Sequence, residues 1–292
     1  MNLLSPLLNR FQLYSFSILL LSVSPFLMAN SISADKDHSR QMARYFELSG
    51  INDLLESIPE QLKSMQLDAE NEYGTDSLDN KIMQSLIDAW DDRKIKHALM
   101  TKINDSITSQ QLSALIQWQS SALPQLVKHK EAEANNDDFE QKFVQFVRGI
   151  PENMPDRNHR AAINKVIDAK HMVDNMIDLT LSVSRPVLLA LVETESARKE
   201  KMTVSDVERQ LFELEHLLQD DLSHQISILS YFLYKNLSTT ELNEYAQFYQ
   251  SDLGLVELSL LNEALHYSIA LWQTAYAGRS PHLLLTKRTP NQ

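Results

Sequence analysis

The chain has 292 residues, 43% hydrophobic and 23% charged, enough apolar content to build cores for one large domain or two of ordinary size. With 27 basic against 39 acidic residues its net charge is −12, a balance that repels nucleic acid and anionic lipid. It has no cysteine, which excludes disulfides, thiolate metal sites, a cysteine nucleophile and a lipid-anchored N-terminal cysteine, and its five glycines are few for strand-rich folds or phosphate loops.

Residues 1–29 read as a secretory signal peptide. Arg10 precedes an uncharged run from Phe11 to Ala34 with Ile18-Leu19-Leu20-Leu21 at its centre. Pro25 interrupts the run before small residues at Ala29, Ser31 and Ala34, so cleavage is expected after Ala29 or Ser31. The mature chain then has no stable membrane span and is expected in the periplasm. Retention as an inner-membrane anchor, or secretion, are the alternatives.

From residue 36 onward apolar residues recur at spacings of three and four, and no stretch alternates as a strand would. The fold class expected is all-α, as two tandem related helical-bundle halves of several amphipathic helices each. The first half spans 36–148, a linker rich in helix breakers covers 149–157, the second half spans 158–277, and 278–292 form a flexible tail. Further breaks are expected at Tyr73–Ser77 and around Asn135–Asp138. Phe139, Phe143, Phe146 and Val147 form a short aromatic helix suited to dock one half on the other. In the second half Leu211, Leu214, Leu218 and Leu222 make one apolar stripe, and Leu258, Leu261 and Leu265 another.

Two helix starts share one design. Thr108 and Gln111, flanked by Ile107 and Leu112, can form a capping box with a hydrophobic staple. Ser238 and Glu241, flanked by Leu237 and Leu242, repeat those four parts 130 residues later. The same offset pairs Trp118 with Phe248, Ser121 with Ser251 and Pro124 with Gly254, each serine preceding a new helix. At the front of each half, Met42, Phe46, Ile51, Leu55, Ile58 and Leu62 lie 121 residues before Ile163, Ile167, Met172, Met176, Leu179 and Val183. The two offsets imply about nine extra residues inside the second half.

The run from Leu237 to Gly254, Leu-Ser-Thr-Thr-Glu-Leu-Asn-Glu-Tyr-Ala-Gln-Phe-Tyr-Gln-Ser-Asp-Leu-Gly, resembles the signature of the bacterial family known as domain of unknown function 2059. That family shows a serine- or threonine-capped Glu-Leu, then Phe-Tyr, then Ser-x-x-Gly. Leu48-Ser49-Gly50-Ile51 resembles its opening segment, while Trp118-Gln119 and Pro124 depart from the pattern in the first half. The resemblance implies an exported, all-helical protein and supplies no catalytic residues or cofactor.

No motif for phosphate binding, serine hydrolysis or zinc proteolysis occurs. Glu-x-x-His occurs at Glu213/His216 and Glu263/His266, a spacing used by di-metal helical bundles. Two occurrences are near what chance supplies, and Glu213 and His216 lie opposite the leucine stripe, facing water. The acidic pairs Asp91-Asp92 and Asp220-Asp221 suit helix caps or solvated surface better than acid–base work. Tyr245, Phe248, Tyr249 and Trp272 could line an apolar groove, although aromatics at helical spacing usually fill a core. Lys287 and Arg288 are too small a basic patch to recruit nucleic acid.

No catalytic residue, cofactor or metal is assigned. The function expected is a non-enzymatic helical protein of the bacterial envelope, binding or scaffolding through contacts with an unknown envelope protein. The alternative is a periplasmic binder of a lipid or other apolar small molecule, and a metal-dependent enzyme ranks third.

Overall fold

A computed structural model describes residues 34–52, 55, 58–60, 63, 66–67, 70, 78–136, 138–150, 152–195 and 203–279. The expected signal peptide, the break at Tyr73–Ser77 and the pair Lys287–Arg288 lie outside these residues. Among the described residues there is no strand. The helices are α1 (Ala34–Ser49), α2 (Leu78–Ala89), α3 (Asp92–Ser106), α4 (Ser109–Gln119), α5 (Ala122–Ala132), α6 (Phe139–Arg148), α7 (Arg157–Ala169), α8 (Met172–Glu195), α9 (Val204–Tyr234), α10 (Thr239–Tyr249) and α11 (Asp252–Arg279). The described residues between 51 and 70 are helical too, and a 3-10 turn, Glu133–Asn135, follows α5. Helix α11 continues through Arg279, beyond the expected end at residue 277.

Both capping boxes form. The Thr108 amide donates to Gln111 Oε1 at 3.0 Å while the Gln111 amide donates to Thr108 Oγ1 at 3.2 Å. At α10 the Ser238 amide donates to Glu241 Oε2 at 2.7 Å and the Glu241 amide to Ser238 Oγ at 3.2 Å. Each box satisfies two amides that a helix start otherwise leaves without partners. The staple residues Ile107, Leu112, Leu237 and Leu242 are all buried. A third box, Thr203 with Asp206, opens α9 and is absent from the sequence reading. Its shorter acid still reaches the cap amide, at 2.8 Å.

Two helix ends also match. Gly50 after α1 has φ 79° and His171 after α7 has φ 50°, both in the left-handed region that terminates helices, and they stand 121 residues apart. The acidic pairs behave differently from one another. Asp91 caps α3 by accepting from the Lys94 amide at 3.1 Å, whereas Asp220 and Asp221 lie inside the unbroken α9.

Packing crosses the expected boundary. Helix α1 packs on α4, and α7 packs on α10, equivalent pairings within the two expected halves. The first core, built from residues such as Tyr45, Phe46, Leu86, Leu99 and Leu112, is completed by Leu260, Ala264, Ile269 and Trp272 of α11. The second core, with Ile163, Val166, Leu218 and Phe232, is completed by Val127 of α5 and Phe146 of α6. The last helices of each half therefore fill the other half's core. Breakers at 149–157 separate helices but not cores. Burying a large apolar side chain stabilises by roughly 1.5–3 kcal/mol, so each core depends on helices from both sides of the 149–157 stretch.

The aromatic helix α6 docks as its spacing suggests. Phe139, Phe143 and Phe146 meet Phe232 of α9 edge-on, with ring centroids 5.7, 5.6 and 5.3 Å away, while Val147 is left exposed. The Leu211–Leu222 stripe is buried as expected. The expected stripe on α11 is displaced by one residue. Glu257, Leu260 and Ala264 are the deeply buried positions, and Leu258, Leu261 and Leu265 are only partly covered. Helix α11 lies between the two cores and is apolar on several sides, so its leucine spacing alone does not identify its deepest face.

Candidate functional site

Three buried polar side chains, Glu257, Gln119 and Lys128, gather where α11 enters the first core. The path into this place starts at the α10–α11 corner. Ser251 Oγ accepts from the Gly254 amide at 3.2 Å, closing the first turn of α11. A Cβ at Gly254 would stand 2.1 Å from the Phe248 carbonyl oxygen, so only glycine lets α11 leave this close to α10. One turn later comes Glu257, which is 0% exposed.

Glu257 Oε1 accepts from Gln119 Nε2 of α4 at 2.6 Å and from the Tyr45 hydroxyl of α1 at 3.4 Å. Its other oxygen, Oε2, has no hydrogen-bond partner, and neither has Gln119 Oε1 on a side chain that is 3% exposed. Burial pushes the Glu257 carboxyl up to about 7, against the Gln119 hydrogen bond, the cations of Lys128 and Lys170, and the Tyr45 hydroxyl. Lys128, from α5, is itself buried.

A second polar group adjoins the first. Glu131 of α5 accepts from the Tyr234 hydroxyl at 2.6 Å and pairs with Lys170 at 3.6 Å. The Lys170 ammonium sits 5.5 Å from the Tyr245 ring centroid and 5.4 Å from that of Tyr249, a cation–π arrangement. Burial works against the Lys170 charge, but Glu131, Tyr249 and Glu257 outweigh it and hold the ammonium above its ordinary value. Burial raises the hydroxyls of Tyr45, Tyr234, Tyr245 and Tyr249, so these phenols stay neutral near pH 7. The seam can hold charge and protons. Glu257 and the four phenols are buried, while Glu131 and Lys170 are partly exposed.

The four aromatics expected at an apolar groove are packing elements in two places. Trp272 lies in the first core, with its Nε1 donating to the Leu86 carbonyl at 2.8 Å and its ring edge-on to Trp90 at 6.0 Å. Tyr245 and Tyr249 belong to the second core, and Phe248 stacks on Trp118 at 4.0 Å between centroids. The physical reason is that α10 is covered by α7, α5 and α11, and α11 by α2, α3, α4 and α8, so no face of this group is left open as a groove.

The two Glu-x-x-His motifs are exposed. Glu263 pairs with Lys102 at 3.7 Å, His266 contacts Ser182 at 3.4 Å, and the His216 ring meets Phe212. Among the described residues no group of three or more His, Asp or Glu side chains converges as a metal site.

An open cleft of about 470 Å³ lies beside α7 and α9, lined among others by Arg160, Asp220, His224 and Tyr231. Two of these groups are already engaged, Arg160 with the Pro155 carbonyl at 2.9 Å and Tyr231 with Asn164 at 2.8 Å. Sequence reasoning missed the buried seam. Its one available signal was Glu257 itself, an acid three and seven residues before Leu260 and Ala264 on an otherwise apolar row.

Among the described residues no helix is long and apolar enough to cross a membrane. In comparisons with known proteins the chain matches no family model, no curated protein and no solved structure.

Proposed function

We propose that this chain is an exported, non-enzymatic helical protein of the bacterial envelope that acts by binding a partner protein. The observation that carries this reading is the pair of helices α8 and α9, which pack on each other while α9 leaves large apolar groups in solvent. Phe212 is 61% and Leu217 is 64% exposed, on either flank of the buried row Leu211, Leu214 and Leu218. Apolar groups of this size beside the packed α8–α9 pair suit contact with another protein surface. That Glu131 is engaged by Lys170 and Tyr234, and that Glu257 is fully buried, supports a binding role over catalysis.

A photo-crosslinking residue placed at 212 or 217 in intact cells is expected to give a discrete adduct, with none from the exposed control position Lys142. Equal labelling at all three positions overturns the reading. So does a turnover that survives purification and disappears on one polar substitution. Export is checked by cell fractionation and N-terminal sequencing, with cleavage expected after Ala29 or Ser31.

We also read the two halves as copies of one unit, joined in one chain like a fused dimer. This is supported by the paired capping boxes, the left-handed residues Gly50 and His171, and the shared pairing of α1 with α4 and α7 with α10. Trp118 and Phe248, which correspond at the 130-residue offset, stack on each other, as equivalent residues do across a two-fold axis. The resemblance to domain of unknown function 2059 belongs with this reading. The Ser-x-x-Gly of its signature would mark the tight α10–α11 corner.

A further inference from the structure

We propose that Glu257 is a proton-operated latch, whose protonated carboxyl keeps α11 seated in the first core and whose ionised form loosens it. The geometry rests on two buried acceptors that lack a donor, Glu257 Oε2 and Gln119 Oε1, on side chains already joined through Nε2 and Oε1 at 2.6 Å. A carboxylate and an amide oxygen both accept only, so neither can satisfy the other. One proton on the carboxyl turns Glu257 into a donor and removes the charge that burial penalises.

The groups facing this carboxyl come from each neighbouring element. They are Tyr45 of α1, Gln119 of α4, Lys128 of α5, Lys170 at the end of α7, and Tyr245 and Tyr249 of α10. Lys128 and Lys170 favour the ionised acid, but Lys170 is shared with Glu131 and two aromatic rings. Enclosure outweighs them and places the transition near neutral pH.

The consequence falls on α11 because the next buried residues on its row, Leu260, Ala264 and Trp272, are the ones that complete the first core. An acid raised on folding contributes stability that is fully present below its unfolded value of 4.5 and is lost as pH rises towards about 7. Across that window the folding equilibrium constant is expected to fall by roughly two orders of magnitude through this one group.

The test is hydrogen exchange on the full chain from pH 5 to 8, corrected for intrinsic rates. Opening of residues 252–279 is expected to rise by roughly 100-fold, while α7 changes little. Glu257→Gln, which keeps the shape and adds a permanent donor, should flatten the dependence. Lys128→Gln, which removes one facing cation, should move the midpoint to higher pH. A wild-type opening that does not vary with pH overturns the latch, as does an unchanged dependence in Glu257→Gln. Should the glutamine variant fail to fold, infrared spectra of wild-type protein with labelled glutamate decide. A protonated carboxyl band that titrates near neutral pH supports the latch, and absence of that band at pH 6 overturns it.

Discussion

The corner between α4 and α5 and the corner between α10 and α11 solve one problem in two ways. In each, a two-residue connection containing a serine turns the chain into a new helix, and the serine hydroxyl donates back to the residue-118 or residue-248 carbonyl. At the second corner Ser251 also accepts from the Gly254 amide, and the missing Cβ allows close approach. At the first corner Pro124 has no amide to donate, so Ser121 makes no cap bond and the fixed φ of proline shapes the turn instead. The residues before each two-residue connection differ in kind as well. Gln119 reaches the buried acid of the first core, whereas Tyr249 stacks beneath a cation in the second. One backbone plan thus tolerates a polar solution on one side and an aromatic one on the other, as long as every buried group finds a partner or a proton.

Four pairs of substitutions can break or sharpen this comparison. Trp272→Ala removes the largest fully buried side chain and should cost about 4 kcal/mol by chemical denaturation. Its damage should appear as faster hydrogen exchange in residues 34–119, far away in sequence. Phe146→Ala should cost a similar amount, about 3–4 kcal/mol, but loosen residues 157–249. If each variant disturbs its own half instead, the exchange of helices between cores is wrong.

Gly254→Ala forces a methyl group against the Phe248 carbonyl and should cost about 3 kcal/mol, whereas Pro124→Ala should cost at most about 1 kcal/mol. Equal effects at the two corners would remove the contrast drawn between them. Ser238→Ala and Thr108→Ala each remove a capping box and should cost about 1 kcal/mol apiece in thermal or urea unfolding. The smallest effects are expected at the left-handed residues, where Gly50→Ala should lose roughly 0.5–1 kcal/mol and His171→Gly should gain a few tenths. A loss at both positions would show that the His171 side chain does more than end a helix.

Much of the fold was legible before any coordinates. Thr108, Gln111, Ser238 and Glu241 announce their helices because a capping box is completed within four residues of chain. The leucine row on α9 was legible because that face is buried on one side only. The row on α11 was misplaced by one position because neighbours from distant parts of the chain cover several sides of it. Thr203 was overlooked because aspartate stands where the commoner glutamate or glutamine would complete the box. The aromatics of α10 and α11 carried an ambiguous signal, since groove lining and core filling use the same residues at the same spacing.

By itself the sequence determined the starts of α4 and α10, because a capping box and its staple act through neighbouring residues. It also determined that the fold is all-α, since the apolar period is helical throughout. Only the tertiary structure decided that α11 completes the first core and α5 and α6 the second. It likewise decided that Glu257, one acid among 39 acidic residues, loses all contact with water. The reason is that desolvation depends on which helices close around a side chain, and those that bring Tyr45, Gln119 and Lys128 to Glu257 come from residues more than a hundred positions away.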